Sequence, residues 1–446
     1  MNLGPWRSLG ELVRFRAERT PELLLYAHLG DGERVSETLT AAQLDRRARA
    51  IAASISDVPA GTRVLLPFDA GLDFVPALVA CTLIGAIAVP VPAPGGGGRG
   101  LERLRAICAD AGVAAVLTTG AVAERSAGLR AALPGASWWT SDVADERVDA
   151  LADRFVAGVE VGPETPAYLQ YTSGSTADPK GVVIDHGNLL ANCVTLNAKF
   201  RFDADSVIVY WVPAFHDLGL LYGVLLPLFA GGRAVSMAPA AFIERPIRWL
   251  RAISGFRGTH SVAPDFAFDV AVQKTRPEER EGLELGCWRV ALNGAEPIRA
   301  EHEERFVAAF AGHGVRPDLM SHSYGMAEAT AELTAEPEGQ RGRFATLDAA
   351  ALEAGRVAPG RAGGRTRRVA GCGVPAGDTE LCIVDPETLR ACAPEVVGEV
   401  WIRGRTVARG YWNAPAATEA TFGARRADAP ERGEWLRSGD LGFFRD

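Results

Sequence analysis

A chain of 446 residues is long enough for roughly two to three folding units of about 150 residues, and it can bury a large core without disulfide or metal staples. Its 48% hydrophobic and 23% charged residues are those of a soluble globular protein, and a formal net charge of −8 with no basic run argues against a nucleic-acid partner. The seven cysteines (Cys81, Cys108, Cys193, Cys287, Cys372, Cys382, Cys392) are odd in number and form no C-x-x-C pair. They read as reduced thiols of a cytoplasmic protein, and no His or carboxylate accompanies the last three in zinc-site spacing.

The N-terminal MNLGPWRSLGELVRFR lacks an apolar run of signal-peptide length, and Ser8 with Glu11 has the pattern of a capping box opening a helix. A second box, Thr40 with Gln43, opens a helix whose apolar face is Leu44, Ala48, Ile51, Ala52 and Ile55. RVLLPF (63–68) is a short apolar strand, followed by an apolar helix at 71–84 and a strand at 87–91. The stretch 74–91 approaches membrane-span length, but Pro76, Gly85 and Pro90 interrupt it, so a buried helix followed by a core strand is preferred. LERLRAICAD is amphipathic and VAAVLTT (113–119) is again a strand. GVVID, SVIVYWVP, GRAVSMA and WRVALNGAE continue the alternation to about residue 335. Strand–helix alternation predicts an α/β protein with a mostly parallel sheet covered on both faces; the fold expected is two doubly wound, mostly parallel sheet subdomains with covering helices. Residues 336–370 are rich in Gly and Arg and read as an exposed insert in which only FATLDAAALEAG is ordered. From 371 the strands TELCIVD, GEVWIRG and WLRSGD predict a small β-barrel-like unit. The expected organisation is therefore 1–335, 336–370 and 371–446.

The stretch YTSGSTADPKG (171–181) concentrates hydroxyls, glycines and a lysine in one loop. Such a composition alone is as well suited to a solvated linker as to a phosphate cradle. Here the loop is held between two strand-like segments, AYLQY and GVVID, and it closes on Pro179 and Lys180, which favours a polyanion site. It is not a P-loop, because Lys180 is followed by Gly181 and no helix starts there.

The spacing resembles the phosphate loop of the adenylate-forming enzymes, the superfamily of acyl-CoA synthetases, luciferases and peptide-synthetase adenylation domains. Ala177 stands where that family has Gly. SYGMAEAT (323–330), NGAEP (293–297) and SGDLG (438–442) resemble three further family motifs in family order. Each has a bland reading alone: a Tyr-Gly turn, a solvated helix carboxylate, a hairpin corner. Together the resemblance implies that Thr172, Ser173, Gly174, Ser175, Thr176 and Lys180 hold the phosphates of ATP. Asn293, Gly294, Ala295 and Glu296 would lie at the adenine-binding strand end, with Ser323, Tyr324, Gly325 and Met326 beside them. Tyr324 would stack on adenine, Asp440 would grip the ribose hydroxyls, and Thr176 with Glu328 would hold Mg2+.

WVPAFHDLGLLYGVLLPLFAGGRAVSMAP (211–239), AAFIERPIRWLRAIS, THSVAPDFAFDV and VARGYWNAPAATEATF are similar to the fatty acyl-AMP ligase branch, and YGMAE departs from the YGPTE of amino-acid adenylation domains. An aspartate near the position of Asp217 grips the amino group in those domains, yet His216 and the apolar surroundings favour an acyl tail; a satisfied core histidine is the alternative for His216. The resemblance implies an acyl site at His216, Asp217, Leu218, Gly219, Tyr222, Pro264 and Phe266, and catalytic roles for Lys180, His216 and Glu328. It implies conversion of a fatty acid and ATP to acyl-AMP and pyrophosphate by a monomer with no transmembrane segment. The acyl group would pass to an acyl carrier protein or polyketide synthase, the insert hindering the rotation that CoA ligation needs. The family continues past SGDLG into a hinge and a small domain with a further lysine, whereas this chain stops at LGFFRD, so a weakly active N-terminal portion is expected. A long-chain acyl-CoA synthetase and an acyl-adenylate-binding fragment without turnover are the competing readings.

Overall fold

The structure is a computed structural model that describes residues 5–95, 98–171 and 179–445. Apolar strands separated by helices assemble into two sheets. The larger has nine strands, in the order Val374–Pro375, Glu332–Ala335, Met320–Gly325, Val290–Asn293, His260–Ala263, Val207–Tyr210, Arg233–Met237, Leu24–Leu29, Val35–Thr40. Its interior pairs are parallel, and antiparallel strands close it at each end. The second has six strands, in the order Ser137–Thr140, Ala115–Thr118, Arg63–Phe68, Ile87–Pro92, Pro166–Tyr171, Gly181–Asp185. Only its last pair is antiparallel, with Tyr171 opposite Gly181, so the loop of interest joins two hydrogen-bonded strands.

The N-terminal hairpin Leu24–Leu29 and Val35–Thr40 is absent from the sequence reading. It joins the larger sheet beside Arg233–Met237 rather than the strands that follow it in the chain. One continuous core spans both sheets, from Leu25 and Tyr26 through Val64 and Ala88 to Leu220 and Leu221. The helix Phe74–Leu83 buries every residue but its last, as a helix enclosed on all sides must, and among the described residues no helix is long and apolar enough to cross a membrane. Thr40 and Gln43 form both capping-box bonds, at 3.2 and 2.9 Å. Ser8 caps Glu11 N, but the Glu11 carboxylate accepts from Arg7 N, so only half of that box forms.

One apolar segment takes an uncommon form, and two expectations need correction. The apolar segment after His216 is a π-helix, Gly219–Leu225, running into a short α-helix, Leu226–Ala230. Gly219 permits its close seat on the preceding turn, because a Cβ there would lie 2.1 Å from the Pro213 carbonyl oxygen. The insert is more ordered than its composition suggests: Phe344–Asp348 pairs antiparallel with the Arg-rich strand Thr366–Ala370 around the helix Ala349–Glu353. Arg368 is neutralised by Glu304 at 2.7 Å and Glu301 at 3.4 Å, which lets so basic a segment sit against the domain. The last unit is not barrel-like. Glu380–Val384, Gly398–Arg403 and Leu436–Gly442 form an open three-stranded antiparallel sheet, too few strands to close.

Candidate functional site

Five of the six phosphate-loop residues singled out, Thr172, Ser173, Gly174, Ser175 and Thr176, lie outside the described residues. Lys180 is exposed at the loop's end, just before Gly181–Asp185. That strand is held on its free side by 409–412, through Val183 N to Gly410 O at 2.9 Å and Trp412 N to Gly181 O at 2.7 Å. This pairing sets the Tyr411 ring under Lys180, with Nζ 5.2 Å from the ring centroid. The Tyr411 hydroxyl in turn donates to Glu328 Oε1 at 2.7 Å. Burial and the Glu328 charge both raise the phenol, so it stays protonated and remains the donor. Lys180, Tyr411 and Glu328, spread over 230 residues of chain, thus form one chain of contacts. Tyr411 had no role in the sequence reading.

Tyr324 reaches in the opposite direction. Its hydroxyl donates to Asp440 Oδ2 at 2.7 Å, joining the end of Met320–Gly325 to the three-stranded sheet. Burial raises this phenol, and Asp440 adds to the rise. Beside it, Val290–Asn293 runs parallel to Met320–Gly325 with Asn293 opposite His322, which places Gly294 next to Ser323. Ala295 adopts φ +65, and Met326 packs against the core under the small sheet.

Two residues assigned to ligands face elsewhere. The Asn293 side chain is fully buried and donates to Asp265 Oδ1 and Glu303 Oε1, each at 3.1 Å, so it can offer a nucleotide its position but not its amide. The Tyr222 hydroxyl bonds to buried Glu332 across the sheet, because a phenol on a buried π-helix needs a partner there. Burial, opposed by Lys199, raises Glu332 well above the usual carboxylate range. Glu296 is exposed, and its Oε1 accepts from Phe266 N at 2.7 Å, tying the adenine-motif segment to the start of helix Asp265–Gln273 after Pro264.

His216 and Asp217 form a pair, Nδ1 to Oδ1 2.6 Å, with the His216 side chain 48% exposed. Burial of the ring works to lower the imidazole, but the hydrogen bond and charge of Asp217 raise it on balance. The Asp217 carboxylate also accepts from Leu218 N at 2.7 Å, which opens the π-helical turn. Gln170 Nε2 holds Phe215 O at 3.3 Å, linking this loop to the strand that leads into 172–178. Directly behind it lies a cavity of about 90 Å³, lined by Phe68, Phe74, Val91, Tyr210, Val212 and Met237 with His28 and Ser236 at its polar side. It sits where the C-terminal strand ends of the two sheets meet. None of the seven residues assigned to the acyl site (His216, Asp217, Leu218, Gly219, Tyr222, Pro264, Phe266) lines it; the neighbouring Pro213, Ala214 and Phe215 do, and Phe266 is 37% exposed and lies edge-on to Trp211.

Among the described residues no cluster of three or more metal-ligating side chains occurs. One carboxylate, Glu328, whose second oxygen has no described partner, is the kind of hard single ligand that serves Mg2+ when phosphate oxygens complete its shell. The arrangement as a whole suits an ATP-like polyanion: a cation at the loop, a carboxylate opposite, and an aromatic–carboxylate pair at the strand ends.

Residues 14–412 match the family model described as AMP-binding enzyme. The chain belongs to that family. This AMP-binding enzyme is 39% identical over 456 residues to the medium-chain-fatty-acid–[acyl-carrier-protein] ligase JamA of Moorena producens, covering 100% of this chain and 76% of that one. It is 35% identical over 455 residues to the long-chain-fatty-acid–AMP ligase FadD26 of Mycobacterium marinum, covering 98% and 77%. Among solved structures, a fatty acyl-adenylate ligase from Legionella pneumophila, in complex with acyl adenylate and pyrophosphate, superposes with a TM-score of 0.92 at 33% identity, over 100% of this chain and 76% of that one. The AMP-binding enzyme is accordingly a ligase-family member with the α/β fold of adenylate-forming enzymes.

Proposed function

We propose that this AMP-binding enzyme activates a fatty acid as acyl-AMP for delivery to an acyl carrier protein or polyketide synthase. The observation that carries the reading is the convergence of Lys180, Tyr411 and Glu328 at the end of the 172–180 loop, with Tyr324 and Asp440 joined at the adjacent strand ends. One carboxylate oxygen of the acid attacks the α-phosphorus of ATP, the bond to the bridging oxygen breaks, and pyrophosphate leaves. Two anions must approach, so the work is electrostatic. Lys180 neutralises the β- and γ-phosphates. Glu328, together with Thr176, would hold Mg2+, which offsets phosphate charge. His216, held by Asp217 at 2.6 Å, faces the acyl carboxylate, and the tail runs behind it into the apolar region between the sheets. Each buried methylene contributes about 0.8 kcal/mol, so affinity rises with chain length until the space fills.

The test is pyrophosphate release from ATP with a panel of fatty acids from acetate to palmitate, with mass detection of the adenylate. Release that does not distinguish acetate from longer acids refutes the fatty-acid assignment, and no release at all leaves an adenylate-binding protein. Offering CoA and a holo carrier protein in parallel decides the acceptor: abundant acyl-CoA replaces the carrier-protein reading with that of an acyl-CoA synthetase.

A further inference from the structure

Asn293 and His322 are register partners on neighbouring parallel strands, and the residues after them, Gly294 and Ser323, are among those assigned above to the nucleotide. Both side chains turn away from that face and meet one carboxylate. Glu303, from helix Ala300–Phe310, is 1% exposed. Its Oε1 accepts from Asn293 Nδ2 at 3.1 Å and contacts His322 Nε2 at 2.8 Å. The other imidazole nitrogen, His322 Nδ1, lies 2.8 Å from the Gly371 carbonyl at the root of the insert. A carbonyl can only accept, so Nδ1 carries a hydrogen; Nε2 facing a carboxylate carries the other, and the ring is an imidazolium paired with Glu303. Burial works to lower this histidine, but Glu303 and Glu336 raise it on balance, and Glu336 also accepts from His322 N at 2.7 Å. His260 shows the contrast: it is equally buried, but its Nδ1 faces the Thr259 hydroxyl, which can donate, and it stays neutral. The His322 ring is boxed in by backbone, since a Cβ on Gly342 would lie 2.3 Å from Nε2. A fully buried ion pair of this kind is a poor way to gain stability, because desolvation offsets most of the attraction, but it fixes geometry.

We propose that Glu303 and His322 are positioning residues for the nucleotide, a buried carboxylate–imidazolium pair that sets the spacing of the two strand ends offered to adenine and ribose and ties them to the root of the insert. The inference rests on the nucleotide-site reading above. Glu303→Gln keeps the shape and the acceptor for Asn293 while removing the charge; His322→Gln removes one of the two arms. Binding of AMP and of decanoate is measured by calorimetry, alongside cooperative thermal unfolding. AMP affinity falls roughly ten- to a hundredfold, the size of one buried hydrogen bond to a charged group, with decanoate affinity within about twofold. A merely structural role weakens both ligands alike, and that result overturns the proposal, as does unchanged AMP affinity in a cooperatively folded variant. Tyr324→Ala separates the two levels: if it leaves AMP affinity unchanged the nucleotide-site reading itself falls, and if it weakens AMP while Glu303→Gln does not, only the positioning role falls. Where a variant does not fold, 15N-histidine spectra of the unmodified protein serve instead. The doubly protonated signal that survives above the ordinary histidine range shifts on AMP binding, and an unmoved signal overturns the proposal.

Discussion

Replacing Tyr411 with Phe tests whether the Lys180–Tyr411–Glu328 chain is working geometry or packing. The change keeps the ring under Lys180 Nζ, 5.2 Å from its centroid, and removes only the hydroxyl that donates to Glu328 Oε1 at 2.7 Å. A hydrogen bond to a charged acceptor contributes about 1.5–3 kcal/mol, and because Tyr411 and Glu328 are both half-buried the lower end applies. About 1.4 kcal/mol is a factor of ten, so pyrophosphate release with ATP and decanoate falls about tenfold. Tyr411→Ala also removes the ring beneath the lysine, forfeiting a further ~0.5–1 kcal/mol and another two- to fivefold. The assay is a coupled pyrophosphate measurement at several magnesium concentrations. The magnesium needed for half-maximal rate rises in both variants, because the Glu328 carboxylate has lost the group that orients it. If Tyr411→Phe keeps both the rate and the magnesium requirement while Tyr411→Ala loses rate, the ring matters as packing and the hydroxyl contact has no catalytic consequence.

Lys180→Ala reduces adenylate formation by about two orders of magnitude, the size expected for one preorganised charge-stabilising group; an unaltered rate removes the loop's assigned role. Glu328→Gln keeps shape and loses charge, so activity and its magnesium dependence both fall, and survival of both marks the carboxylate as a bystander. His260 is held neutral, its pKa lowered to about 4 chiefly by burial. A depressed histidine leaves the native state unprotonated while the unfolded chain takes up a proton, so stability is lost as pH falls from the ordinary histidine value near 6.5 towards 4. The loss by pH 4 is about 3 kcal/mol, and denaturant melts of His260→Gln show a shallower pH dependence over that window; an unchanged slope refutes the assignment. Gly219→Ala drives a methyl to 2.1 Å from the Pro213 carbonyl oxygen, so the chain loses at least about 2 kcal/mol, measured by chemical denaturation; wild-type stability means the π-helical turn yields freely.

The residues that the sequence motifs singled out include charges and a phenol that lie far apart in the chain. Lys180, Glu328, Tyr324 and Asp440 each stand beside or near a glycine in a short motif, and the structure groups them in two contacting sets. Tyr411 escaped because an aromatic beside Gly and Trp reads as packing; only the pairing of 409–412 with Gly181–Asp185 gives it a role. Side-chain direction was equally hidden. Asn293 and Tyr222 lie on well-placed elements, yet each turns to a buried carboxylate, Glu303 or Glu332, that is distant in sequence. Strand–helix alternation exposed the parallel sheets between 63 and 335, since each crossover writes its own period. It did not expose the hairpin at 24–40, whose partner strand comes much later, or the strand Thr366–Ala370, whose arginines disguise it as a loop.

That N-terminal hairpin has a consequence for biosynthesis. All but the first residue of Leu24–Leu29 end up buried, yet its parallel partner Arg233–Met237 is made about 200 residues later. At 5–20 residues per second the delay is roughly 10–40 s, during which the whole six-stranded sheet emerges. For that interval an apolar strand waits with one edge unpaired, a template for neighbouring nascent chains. Folding of this protein on the ribosome therefore depends on holding the 24–40 hairpin apart until Arg233–Met237 arrives, and slowing translation between 185 and 233 lengthens the period in which it can be lost to aggregation.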